Sequence, residues 1–327
     1  MSTITNKKLT DHKVLIFDVY GTLADWETGI YNALQPLLER YPATRAWSRH
    51  DALKAFMSVE SDLQGQYPGM LYSDLLANVH EVLEERLKAL SDGATETART
   101  ALTEASVTST TGAGPSDPNS ASKSVDEHKA FGASIRSWPI FPDTCDALKR
   151  LSKHFKLVVL SNVDRESFRY THALLSEGPT WDTVSSNISL YTYPDPNPNK
   201  FWHPQATPGS KSPFTLIVTA QDVGCYKPEL GGFLAVYDYA NTHQALFGDL
   251  ELKDGEVVKD KVLSVAQSIP HDHVATKRLD MRSVWIDRQS AVTCNVDPDG
   301  LDATKWTWRY ATLADMADAV EKELAAS

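Results

Sequence analysis

Cysteine is scarce: only Cys145, Cys225 and Cys294 occur in 327 residues. Three widely spaced thiols exclude a disulfide framework and point to a reducing, cytosolic compartment. Basic charge is also in deficit. The chain has 32 Lys and Arg against 43 Asp and Glu, a net charge of −11, and no basic patch or aromatic-basic repeat that would suit a nucleic acid. No apolar run approaches the roughly 20 residues that span a bilayer. The polar stretch Met1 to Leu9 lacks a signal-like apolar segment, so neither a membrane nor a secretory route is expected. Internal repeats are absent. What is present is an acidic chain, 42% hydrophobic, long enough for a core domain and a smaller second one. The expected setting is the cytoplasm and the expected partner a small-molecule substrate, with a second copy in a homodimer as a candidate only.

The segment Lys13-Val-Leu-Ile-Phe-Asp-Val-Tyr-Gly-Thr-Leu23 runs an apolar strand into Asp18 and then a glycine turn. In open parallel sheets ligands gather where loops leave the strands' carboxyl ends, so a carboxylate placed there can act as a nucleophile. The alternative is an ordinary strand that ends in an Asp turn residue.

Three later segments repeat the geometry. Leu157-Val-Val-Leu-Ser161-Asn162 delivers a hydroxyl and an amide, groups able to hold an oxyanion or carboxylate; read alone, it is equally a strand followed by an Asn turn. Gln221 to Pro228 presents Lys227 before a proline, which biases the lysine toward extended backbone. Near Asp18 such an ammonium would keep the nucleophile ionised, whereas an isolated lysine is usually a solvated charge. Val262 to His273 leads an apolar run to Asp272. His271 and His273 flank it, but without further Cys or His partners they make a poor zinc set.

In this order the four segments resemble the motifs of the haloacid dehalogenase superfamily of aspartate-nucleophile hydrolases. Phosphatases of that superfamily usually carry a second Asp two residues after the first. Here that position is Tyr20, and the Asp-Val-Tyr-Gly-Thr-Leu form is similar to the L-2-haloacid dehalogenase branch. The resemblance implies Asp18 as nucleophile, Lys227 holding charge, Asp272 orienting water, and Tyr20, Thr22, Ser161 and Asn162 lining the substrate. It implies no cofactor for carbon attack. A phosphatase would need Mg2+, with Asp18 and Asp272 as ligands, and a catalytically silent binding protein is a third option. Some features depart from the branch. The arginine of its early cap helix is not evident: Met57 or Ser58 stands near the aligned position, with Arg49 close by. Phe233 replaces a tyrosine, Ile269 an asparagine and Gln267 a serine. Losing an arginine fork removes bidentate carboxylate binding, so these departures bear on substrate choice.

The fold class expected is α/β: a Rossmann-like parallel sheet core covered by helices on both faces, with an inserted helical cap domain. The core takes residues 1–25 and 137–327. The predicted strands are 13–18, 156–161, 215–220, 262–267 and 283–287; the predicted helices are 143–153, 165–175, 229–241, 272–279 and 312–324. Residues 26–136 read as the cap, with apolar stripes at Ile30, Leu34, Leu37 and Leu38, and at Leu75, Leu76, Val79, Val82, Leu83 and Leu87. Within it the Ser, Thr and Gly-rich stretch 103–126 is expected to be disordered. The Pro- and Asn-rich stretch 191–213 is expected as an ordered loop at the sheet edge, walling the site or merely covering the surface. Cys225, beside the lysine motif, is either reactive or a small apolar filler.

Overall fold

The computed structural model describes residues 7–91, 126–180, 188–288, 291–295 and 304–326. By chain contacts it divides into two compact units, Met1–Asp25 with Pro139–Ser327, and Trp26–Trp138.

The first unit is built on six strands: β1 Val14–Phe17, β2 Lys156–Ser161, β3 Phe214–Thr219, β4 Val262–Ala266, β5 Ser283–Ile286 and β6 Trp308–Tyr310. Their order is β3-β2-β1-β4-β5-β6, and all five pairings are parallel. Every residue of β1, β3, β4 and β5 is buried, as expected of strands covered on both faces. Leu15 lies opposite Leu157 on one side and Leu263 on the other. The chain lays β2 and β3 on one flank of β1 and then jumps across to β4. The strand order therefore reverses beside β1, the position at which open α/β sheets form a crevice.

Alternation along the strands divides the core. Val14, Ile16, Val158, Leu160, Leu216 and Val218 pack with Phe233, Val236 and Tyr239 of helix Gly231–Thr242 and with Ala275 of the short helix Val274–Arg278. Right-handed crossovers place the helices Thr144–Leu151 and Arg165–Glu177, which precede β2 and β3, on the opposite face. The terminal helix Leu313–Ala325 packs on Thr144–Leu151, and its N-cap Thr312 accepts a bond from Asp315 N at 3.1 Å.

Each of the five predicted strands and five predicted helices lies within a few residues of its expected place, and the sequence reading missed the short β6 and the one-turn helices Ala220–Val223 and Gln244–Phe247. Residues 269–273, which span the connection after the predicted strand 262–267 and the start of the predicted helix 272–279, form a π-helical turn. The Pro-rich stretch is ordered among its described residues. Trp202 bridges the outer edge of β3 through an Ile217 N–H to Trp202 O bond of 2.9 Å, and Phe201 sits in the core. Covering an edge strand protects it from pairing with other chains.

The second unit contains helices Trp26–Leu38, Arg49–Gln66 and Tyr72–Ser91. The middle helix begins with a capping box in which Ser48 N donates to Asp51 Oδ2 at 2.9 Å and Asp51 N to Ser48 Oγ at 3.2 Å. Leu53, Phe56, Val59 and Leu63 are buried, as are Leu75, Leu76, Val79, Leu83 and Leu87; Leu38 and Val82 lie at the half-buried margins of their stripes. Gly29 is required because a Cβ there would come within 2.4 Å of the Trp138 ring. Arg49 donates to Thr28 Oγ1 at 3.1 Å within this unit. The stretch expected to be disordered lies, apart from Asp126, outside the described residues.

Candidate active site

Asp18 follows β1 directly, its N–H bonded to Val265 O of β4 at 3.1 Å. Gly21, at φ 101°, supplies the left-handed turn that folds the next residues back, and Leu23 N and Ala24 N both reach Val19 O, at 2.7 and 2.9 Å. The turn brings Thr22 beneath the carboxylate. Thr22 Oγ1 donates to Asp18 Oδ2 at 2.6 Å and accepts from Gln267 N at 2.8 Å.

The other Asp18 oxygen meets Lys227. Its Nζ donates to Asp18 Oδ1 at 2.7 Å and to Asp272 Oδ1 at 2.9 Å, and the three side chains are nearly excluded from solvent, at 7% exposure for Asp18, 4% for Lys227 and 2% for Asp272. Burial disfavours the ammonium, but the charges of Asp18 and Asp272 outweigh it and hold Lys227 above the usual lysine range. One cation shared by two carboxylates leaves the more buried one short of compensation. Burial raises the Asp272 carboxyl to about 7, with Lys227 pulling it down and Asp18 pushing it up. Asp272 Oδ2 and Ser161 Oγ are both buried without a hydrogen-bond partner, and such atoms in a native fold call for an explanation.

The remaining expected site residues are placed differently. Asn162 does not present a free amide: its Oδ1 accepts from Lys227 N at 2.7 Å and its Nδ2 donates to Lys227 O at 3.1 Å, clasping the backbone of the lysine. Thr22 likewise spends its hydroxyl on Asp18 and Gln267 and leaves none for an oxyanion. Tyr20 is bonded through its hydroxyl to Thr171 Oγ1 at 2.9 Å, and burial holds its phenol above the usual tyrosine range. His273 uses both ring nitrogens within the fold, on Ser283 Oγ at 2.9 Å and Ala266 O at 3.0 Å. His271 pairs with Ser268 Oγ at 3.0 Å and is depressed to about 4 by burial and by Lys227. His273 therefore has no nitrogen left for a zinc, and His271 engages Nδ1.

The substituted positions are structural. Phe233 and Ile269 are fully buried, and Gln267 Nε2 donates to Thr293 O at 3.2 Å. Sequence reasoning missed Arg288 at the end of β5, whose Nη2 reaches Thr22 O at 2.8 Å; an isolated arginine after a strand carries no distinguishing signal. Cys225 is half-buried, with burial raising its thiol, which favours the filler reading.

For a divalent cation the donor set is short. Asp18 and Asp272 each already give one oxygen to Lys227, and no group of three or more His, Cys, Asp or Glu suited to a metal occurs among the described residues. Asp18 and Asp272 are the two carboxylates that would hold a Mg2+, with water and substrate oxygens completing its shell. No helix among the described residues is long and apolar enough to cross a membrane.

A strand-end carboxylate is thus tied to a buried lysine and a second carboxylate at the carboxyl edge of a Rossmann-like core. A family model described as a haloacid dehalogenase-like hydrolase matches residues 12–201, more than half of the chain, and the protein belongs to that family. Similar solved structures include an L-2-haloacid dehalogenase from Xanthobacter autotrophicus with chloropropionic acid covalently bound, 13% identical with a TM-score of 0.52 over 95% of this chain and 98% of that one. A defluorinating L-2-haloacid dehalogenase is 14% identical with a TM-score of 0.53 over 95% of both chains. The HAD-hydrolase YfnB from Bacillus subtilis bound to magnesium is 12% identical with a TM-score of 0.50 over 95% of this chain and 99% of that one. At these identities the likeness is one of fold. No curated protein matches the chain.

Proposed function

We propose that the protein is a metal-independent hydrolase of the 2-haloacid dehalogenase type, with Asp18 as nucleophile. The observation that carries this reading is the Lys227 ammonium bonded to both Asp18 and Asp272, with Tyr20 directed at Thr171 where a phosphatase would place an acid. In the first step an Asp18 oxygen attacks the carbon bearing the halogen, the carbon–halogen bond breaks, and halide leaves with the electron pair and no proton. The product is an ester on Asp18. Lys227 compensates the charge, and Ser161, whose hydroxyl has no partner within the fold, donates to a substrate oxygen. In the second step Asp272 Oδ2 takes a proton from water, whose oxygen attacks the ester carbonyl; the bond from that carbonyl carbon to the ester oxygen breaks, the leaving alkoxide takes the proton back from Asp272 to give the hydroxy acid, and the regenerated Asp18 loses its acid proton to solvent. We assign the helical unit the part of a cap supplying specificity residues. That the Xanthobacter enzyme holds chloropropionic acid covalently supports a small 2-haloacid as the first substrate class to try.

The test is a panel of (S)-2-haloacids and phosphate monoesters, with EDTA or added Mg2+, beside Asp18→Asn. Halide release in EDTA that disappears in Asp18→Asn is the expected result; Mg2+-dependent phosphate release would replace this reading with a phosphatase, and silence throughout would favour a binding role. A pH profile adds a sharper check. Asp272 acts as base only when deprotonated, so turnover should rise through about pH 7, where burial has moved its carboxyl, and that limb should vanish in Asp272→Asn. A limb near pH 4 would contradict the assignment.

A further inference from the structure

We propose that Arg288, at the end of β5, is a positioning residue that fixes the Asp18 carboxylate through Thr22. The proposal rests on the reading of Asp18 as nucleophile for its kinetic consequence, but not for its structural one. Arg288 is 5% exposed, and each of its three guanidinium nitrogens donates a hydrogen bond. Nη2 and Nε donate to Thr22 O at 2.8 and 3.3 Å, Nη1 donates to Asp143 Oδ1 at 2.7 Å, and the guanidinium lies 4.1 Å from the centre of the Phe141 ring. A buried cation persists only when paired and hydrogen-bonded, and here Asp143 pairs it while the carbonyl of Thr22, in the nucleophile loop, takes two of its bonds.

The chain of contacts is short. Thr22 Oγ1 has one proton, given to Asp18 Oδ2, and it takes the Gln267 N–H, so its side chain is defined by its two neighbours. Its carbonyl is held by Arg288, while its N–H reaches Val19 O at 3.2 Å. Asp143 closes the arrangement, because its Oδ2 accepts from Leu313 N at 2.9 Å and Ala314 N at 3.3 Å, which anchors the fork to the first turn of the terminal helix. The segment carrying Asp143 is itself paired to the loop through Phe141 N to Leu23 O at 3.1 Å and Thr144 Oγ1 to Leu23 O at 3.0 Å. Lysine could not replace this geometry, since a single ammonium cannot address a carbonyl twice and a carboxylate once from a rigid plane. A displaced Thr22 would free one Asp18 oxygen to rotate off the line of attack, and small misplacements of a nucleophile cost large factors in rate.

Two readouts test this. Hydrogen exchange at the Gln267 amide, whose acceptor is Thr22 Oγ1, needs no substrate. In Arg288→Met it should speed up by about tenfold or more while the amides of Leu263 to Val265 keep their protection; unchanged Gln267 protection in the folded variant would overturn the proposal. Arg288→Lys, which retains the charge facing Asp143, provides a second variant if the first does not fold and should show the same local loss. With any substrate the wild type turns over, Arg288→Lys should lower kcat by roughly 10- to 100-fold with KM changed less than about threefold. Combined with Thr22→Ala, it should cost little beyond Thr22→Ala alone, because both act through one hydroxyl. Losses that multiply would show a general structural role and overturn the proposal. If the panel yields no turnover, the Asp18 reading fails while the exchange result still decides whether Arg288 holds Thr22.

Discussion

Replacing Lys227 with methionine keeps the apolar stem of the side chain and removes the charge that two buried carboxylates share. Asp272 is 2% exposed and Asp18 7%, so water cannot take over the lost bonds of 2.7 and 2.9 Å. Removing one partner of a buried ion pair typically costs about 3–5 kcal/mol, and we expect a loss of that size at pH 8. The cost should depend on pH. In the wild type Lys227 is held above the usual lysine range, so its contribution is complete from acid pH up to the ordinary lysine value and is lost only as pH rises through the folded value. The pH dependence near neutrality in the variant must therefore come from Asp272. Its carboxyl already lies near 7 and loses its cation in the variant. A folded value above the unfolded one destabilises progressively as pH rises from about 4, so at pH 5 a proton on the carboxyl should recover at least about 1 kcal/mol of the loss. Urea denaturation of wild type and Lys227→Met at pH 5 and pH 8 measures this. Equal destabilisation at both values, or none, would refute the shared-cation account.

Other substitutions separate the roles of the neighbours. Tyr20→Phe removes the hydroxyl bonded to Thr171, so turnover should stay within about threefold of wild type while stability falls by about 1 kcal/mol; a loss of activity beyond tenfold would restore Tyr20 as an acid or substrate contact. Asn162→Ala leaves the buried backbone of Lys227 without both its side-chain bonds and should cost about 1–3 kcal/mol in chemical denaturation, with kcat lowered through a displaced lysine; an unaltered stability would show that the clasp is dispensable.

Most of the fold was legible because apolar four- to six-residue runs such as Val14–Phe17 and Phe214–Thr219 alternate with amphipathic helices, and parallel strands bring their carboxyl ends together. That convergence is why Asp18, Lys227 and Asp272 could be grouped from sequence across more than two hundred positions. β6 was missed since Trp308-Arg-Tyr310 is three residues long and only partly buried, too little for a periodic signal. Hydrogen-bond assignments were the least legible. Asn162 and Thr22 have the chemistry to hold an oxyanion, but only the tertiary path of the Lys227 loop and of the turn at Gly21 decides that they hold Lys227 and Asp18 instead. Arg288 was invisible for the same reason, since its partners lie 266 and 145 positions away.

The central claim is that Asp18 forms the covalent bond, and a single turnover in water enriched in oxygen-18 tests it most directly. With enzyme in excess over a 2-haloacid such as 2-chloropropionate, water attacks the ester carbonyl, so the label should appear in the Asp18 carboxylate and the hydroxy acid released should be unlabelled. Label in the product with an unlabelled Asp18 would mean that water attacks the substrate directly, and the aspartate-nucleophile account would be wrong.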